Sequence, residues 1–262
     1  MTSPLDTYFA ACRSIMSTIE QQSESIDLAA GWFAESILAG RLVHLFGGGH
    51  SRIMVEEMWP RYGSYPGFHP IVELSLTFHN AVVGANGQRQ AMFLENRAGL
   101  AARILRNFEV TEADSALVVS SSGCNVVATE IAELFQQRGV RVVALVSKSH
   151  CDGSRSNRDD GRKLPDFADL VLDTGAPLGD AMVHITGLDT PVAPGSSIGG
   201  CTVVNALKVA VAELLTRSGN PPRVLTAAAI AGSERATELF ESAYDEHARR
   251  VAKLHATIGA TE

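Results

Sequence analysis

The sequence predicts an α/β fold, a parallel sheet covered by helices, and three observations carry that expectation. From residue 41 onward, short apolar runs alternate with helical stretches, the pattern of βαβ units. One run, Leu117-Val118-Val119, delivers Ser120-Ser121-Ser122-Gly123-Cys124-Asn125 to a helical stretch over 126–138. A second, over 42–46, leads into Gly47-Gly48-Gly49-His50-Ser51. At a helix start, unpaired backbone N–H groups and the positive end of the dipole favour an anion. Two such strand–turn–helix units can face one phosphate-bearing ligand.

The elements follow in order. Residues 1–40 form a helical extension, because Leu5, Tyr8, Cys12, Ile15 and Ile19, then Ile26, Ala30, Phe33 and Ile37, recur at three- and four-residue steps. These two amphipathic helices cap the domain, pack on another subunit or simply form an intrachain hairpin. Strands are expected over 42–46, 116–120, 140–146 and 170–172, with a weaker one over 71–74 and an edge strand over 182–185. Helices are expected over 51–59, 95–107, 126–138 and 202–216. A last one over 233–255 carries Ala236, Leu239, Ala243, His247, Val251 and Leu254 on one face. The polar stretch 149–163 reads as an irregular loop at the carboxyl end of the sheet, either a lid or a solvated connection.

Composition narrows the function. The 262 residues, 45% hydrophobic and 19% charged, suit one globular domain over 1–262. A net charge of −7 argues against a nucleic-acid partner, which a basic face would attract. Neutral N–H and hydroxyl donors can still hold a phosphate. Cys12, Cys124, Cys151 and Cys201 lie far apart without a CxxC pair, so no disulfide framework or zinc cluster is expected. Asp6, Arg13 and Glu20 interrupt the amino-terminal region, and no run approaches the ~20 apolar residues of a membrane span. A cytoplasmic protein without membrane association is expected.

The order Phe46-Gly47-Gly48-Gly49-His50-Ser51, Glu56-Glu57, Ser120-Ser121-Ser122-Gly123-Cys124-Asn125 and Val142-Val143-Ala144-Leu145-Val146 resembles the SIS (sugar isomerase) domain. Within it, the chain is similar to a bacterial group of single-domain proteins, through Leu74-Ser75-Leu76 before His79, Gly161-Arg162-Lys163-Leu164 and Pro194-Gly195-Ser196-Ser197-Ile198-Gly199. The resemblance implies a three-layer sandwich with a five-stranded parallel sheet, flavodoxin-like or Rossmann-like. It also implies a phosphosugar ligand gripped by Ser120, Ser122, Gly123 and Asn125, joined by Ser51, and Ser121, Gly48 and Gly49 of the same turns are candidate binding residues beside them. Proteins it resembles assemble as homodimers or homotetramers, with sites near subunit interfaces. By the residues alone, the alternative is that the serines are turn and cap residues and Asn125 an ordinary helix start.

For chemistry, adjacent Glu56 and Glu57 point about 100° apart on a helix, so one faces solvent and Glu57 is expected to lean toward the site. It resembles the catalytic carboxylate of sedoheptulose-7-phosphate isomerases and N-acetylmuramic acid 6-phosphate etherases. Its structural counterpart is a surface Glu paired with Arg61. His50 and His79 are candidates for opening the sugar ring; each, like His184, is otherwise a structural histidine. Cys124 is read as packing. Where metal-dependent heptose isomerases carry ligands, this chain has Ile53, Val203 and Val211, so no metal or other cofactor is expected. The expected function is a metal-independent aldose–ketose sugar-phosphate isomerase. An amino-sugar phosphate lyase or etherase and a non-catalytic phosphosugar sensor are the alternatives.

Overall fold

Five parallel strands form the middle layer of the computed structural model, which describes residues 3–77 and 87–255. They are β1 (Val43–Gly47), β2 (Phe68–Ile71), β3 (Ser115–Val119), β4 (Arg141–Val146) and β5 (Leu170–Asp173), in the spatial order β2-β1-β3-β4-β5. The helices are α1 (Pro4–Glu20), α2 (Ser23–Leu38), α3 (Arg52–Met58), α4 (Leu74–Thr77), α5 (Gln88–Leu94), α6 (Leu100–Ile104), α7 (Val126–Gln136), α8 (Lys148–Gly153), α9 (Ser196–Arg217), α10 (Ala228–Ala231) and α11 (Ser233–Ala252).

The strand alternation divides the core in two. Val43, Leu45, Leu117, Val119, Val143, Leu145 and Leu172 face one layer, built on α1, α2, α3 and α9. Phe46, Ile71, Ala116, Val118, Val142, Ala144 and Val146 face the other, built on α6 and α7. Successive side chains point to opposite faces, and because both faces are covered the strands read as unbroken apolar runs.

Local chemistry sets the helix ends. Ser3 and Asp6 form a reciprocal cap at the start of α1, with Pro4 at its first position. Helix α9 is, among the described residues, the one helix long and apolar enough to cross a membrane. Here it lies in the core, with Val203, Val204, Leu207 and Val211 fully buried. Below the sheet, the Asp114 carboxylate accepts from Arg41 (2.6 Å), the Leu42 amide (3.1 Å) and the Thr111 amide (2.9 Å). Burial alone would raise this carboxyl, but the His44 ring 3.6 Å away and the hydrogen bonds from Arg41 and Thr111 hold it well below the usual carboxylate range.

Four expectations shift. Strand β2 ends at Ile71, because α4 begins at Leu74. It contains Pro70, which an edge strand accommodates without losing a ladder bond. The segment 182–185 makes a single antiparallel bridge, Val183 to Val192, outside the sheet. The helix expected over 95–107 is reduced to α6, since α5 has already ended ahead of it and Gly99, at φ +84°, starts α6. The polar stretch 149–163 begins inside α8, and the rest is tied down: Arg158 pairs with Glu133 (2.8 Å) and Asp160 (2.7 Å), Asn157 donates to Asn96 (2.9 Å), and the Leu164 amide donates to the Gly123 carbonyl (2.8 Å). This loop braces the 120–125 turn.

Candidate functional site at the switch point of the sheet

After β1 the chain runs to β2 on one side, then returns to β3 on the other. The carboxyl ends of β1 and β3 therefore flank the crevice where the winding reverses, the usual ligand position in open α/β sheets. Register places Gly47 beside Val119, so the turns that follow lie side by side. Gly47 is required there, since a Cβ would stand 2.7 Å from the Ser51 carbonyl oxygen. Gly123 has φ +63°, and its Cβ would stand 3.0 Å from Cys151 Sγ.

Between the turns lies a cavity of about 160 Å³ lined by Gly48, Ser51, Ser120, Ser121, Ser122 and Asn125, together with Glu95 and His150. An adjoining cavity of about 210 Å³ shares Gly48, Ser51, Glu95 and Ser121 and adds Gly49, His50, Asp180 and Ser196. The structure thus brings together all the expected turn residues except Gly123. The Gly123 amide is turned inward, donating to the Ser120 carbonyl (3.0 Å).

The three serines differ. Ser120 Oγ accepts from the Gly123 amide and Ser122 Oγ from the Cys124 amide, each at 3.2 Å, so both hydroxyls brace the turn. Ser121 Oγ is buried with no hydrogen-bond partner among the described residues. An unpaired buried hydroxyl carries a desolvation cost, which a ligand oxygen in the cavity would relieve. Asn125 caps α7 with extended backbone and no side-chain bond to the helix. Cys124 is buried with its thiol pushed up by burial, as suits packing rather than nucleophilic attack.

Glu57 is not brought to this cavity. Met54 of α3 lines the cavity, while Ile53, Glu56 and Glu57 line a separate groove with Tyr62, Phe240 and Tyr244. The Glu57 carboxylate accepts from Asn205 Nδ2 (2.8 Å) and is paired with Arg61, and its main-chain carbonyl accepts from Lys208 Nζ (2.8 Å). Burial would raise its pKa, but the Asn205 and Arg61 hydrogen bonds outweigh it and hold the carboxyl below its ordinary value. His79 falls outside the described residues. His184 is exposed and outside the sheet.

The residue that sequence reasoning missed is Glu95. It ends α5, and its main-chain carbonyl accepts from the Val127 amide (2.9 Å) in the first turn of α7. Burial pushes its carboxyl up to about 7, against a partly compensating hydrogen bond from Asn125. A Glu after Ala91-Met92-Phe93-Leu94 gives no sequence signal beyond that of a helix residue. Among the described residues, no group of three or more His, Cys, Asp and Glu side chains could hold a metal ion.

A family model described as SIS domain matches residues 7–147. A UPF0309 protein of Halalkalibacterium halodurans is 30% identical over 235 residues, 89% of this chain and 95% of that protein. A UPF0309 protein of Brucella canis is 31% identical over 228 residues, 87% of this chain and 90% of that one. Among solved structures, a phosphoheptose isomerase from Francisella tularensis aligns with a TM-score of 0.51 at 16% identity, covering 79% of this chain and 95% of that chain. That likeness is one of fold.

Proposed function

This chain belongs to the SIS domain family, and on that premise we propose that it binds a sugar phosphate and interconverts its aldose and ketose forms without a metal ion. The observation that carries the reading is the meeting of two strand-end turns on one cavity, with the buried, unpartnered Ser121 hydroxyl on its wall. The phosphate sits against the 120–125 turn at the start of α7, where the positive end of the helix dipole favours an anion. Gly48, Gly49 and Ser51 close it from the β1 side, and the sugar extends into the adjoining cavity toward His50. His50 opens the ring by moving a proton from a hydroxyl to the ring oxygen.

The reading includes a cytoplasmic homodimer or homotetramer. Leu5, Phe9 and Met16 on the outer side of α1, with Val209 on α9, supply exposed apolar surface for it. Light scattering on the purified chain checks it; a monomer at micromolar concentration counts against it.

A thermal-shift screen with five- to seven-carbon aldose and ketose phosphates, beside the same sugars without phosphate, tests the ligand class. A sugar phosphate at 100 times its Kd stabilises the fold by about 2.7 kcal/mol, and the unphosphorylated sugars do not. Equal behaviour of both sets contradicts the reading.

A further inference from the structure

We propose that Glu95 is the general base of this site, the group that carries the proton between adjacent carbons of the sugar. The inference rests on the phosphosugar reading above and adds to it the identity of the proton carrier.

Placement supports it first. Glu95 lines both parts of the cavity and shares both walls with Ser121. Its main chain is bonded to the first turn of α7, the helix whose start forms the phosphate cradle. A phosphate held there and a carboxylate held by the same turn keep a fixed separation, which is what positioning a proton acceptor against one carbon demands. Across the cavity the carboxylate approaches the β1 turn: a Cβ on Gly48 would stand 3.7 Å from Glu95 Oε2.

Its electrostatic surroundings suit the task. Among the described residues no Lys or Arg forms an ion pair with Glu95, unlike Glu57, which Arg61 holds. Among the described residues, the titratable groups that share the cavity with it are His50 from the β1 turn, His150 at α8 and Asp180 ahead of α9. Asp180 is engaged in accepting from the Gly195 and Ser196 amides, and His150 Nδ1 accepts from the Gly179 amide. A carboxyl poised near neutrality both accepts and returns a proton at working pH.

The step balances as follows. The Glu95 carboxylate takes the proton from the hydroxyl-bearing carbon next to the aldehyde. That C–H electron pair becomes the carbon–carbon double bond of an enediolate, and the carbonyl π pair moves onto its oxygen. Glu95 then delivers its proton to the former aldehyde carbon, while the neighbouring hydroxyl proton passes to the former carbonyl oxygen and leaves a ketone. No oxidant, reductant or metal enters.

The experiment follows solvent deuterium into the panel of aldose and ketose phosphates, by NMR in D₂O, for the parent chain and for Glu95→Gln and Glu95→Asp, with binding measured by calorimetry. Glu95→Gln is expected to bind the same sugar phosphate within a few-fold and to exchange about 10²–10⁴-fold more slowly. The parent rate should rise with pH through about 7 and then level, since the base acts only when ionised. Glu95→Asp keeps a carboxylate and should retain part of the exchange with the same rising profile, which a merely structural role would not produce; it also serves if Glu95→Gln fails to fold. A parent that binds no sugar phosphate overturns the phosphosugar reading. A parent that binds without exchange, or a Glu95→Gln that exchanges at the parent rate, overturns the assignment of Glu95 and leaves phosphosugar binding standing.

Discussion

Glu57 and Glu95 are two glutamates at the ends of short helices, and the fold treats them in opposite ways. Glu57 faces a groove where Asn205 and Arg61 occupy both carboxylate oxygens, so it stays ionised and holds α3 to α9. Glu95 faces the cavity between the two turns, loses water there, and gains no cation among the described residues in exchange. A carboxylate saturated by partners is fixed in charge and fit for structure. One that is desolvated with few partners sits near the point where it gives and takes a proton. What separates them is the company each keeps across the fold, not the residue type or the helix that carries it.

The contrast can be broken most severely at the level of turnover, where Glu95→Gln should cost about 10²–10⁴-fold in kcat. Stability gives a second break with a worked sign. The folded pKa of Glu95, about 7, lies above its ordinary 4.5, so between those values the folded chain binds more protons than the unfolded one. Stability from this group therefore falls as pH rises from about 4.5 to 7 and is level above. Glu95→Gln, neutral throughout, should gain on the parent by about 1–2 kcal/mol between pH 4 and 8, after allowance for partial exposure. Denaturant melts at the two pH values check this; a constant difference counts against it.

For Glu57 the sign reverses. Its folded pKa is depressed, so its contribution is present above the ordinary carboxylate pKa and is lost as pH falls through the depressed value. Glu57→Gln should destabilise by about 1 kcal/mol at pH 7, the scale of a partly exposed ion pair with one further hydrogen bond. That loss should shrink in acid. The smallest effect expected is that of chelation: dialysis against a chelator should leave turnover unchanged, and loss restored by zinc would contradict a metal-free reaction.

Much of this was legible in the chain. The parallel sheet could be read because strands buried on both faces are continuous apolar runs, as Val142-Val143-Ala144-Leu145-Val146 is. The two turns could be read because Gly47 and Ser120-Ser121-Ser122-Gly123 stand directly at strand ends. The inequality of the three serines could not, since it depends on which amides fold back onto Ser120 and Ser122. Nor could the direction of Glu57 be read: the 100° step of a helix says that Glu56 and Glu57 diverge, not which neighbours receive them, and Asn205 lies 148 residues away. Glu95 was hidden for the same reason, as its bond with Val127 and its place beside Gly48 on the cavity wall exist only after the sheet has wound in both directions.

The central claim, that a sugar phosphate is held where the β1 and β3 turns meet, is tested most directly at Ser121. Calorimetric titration of the parent and of Ser121→Ala with the sugar phosphate that gives the largest thermal shift measures what that one hydroxyl contributes. Its loss should weaken binding by about 1.5–3 kcal/mol, roughly 10- to 100-fold, the range of a hydrogen bond to a charged group. The fold itself should be unharmed, because the Ser121 hydroxyl holds no partner among the described residues. Equal affinity in parent and variant would place the phosphate elsewhere.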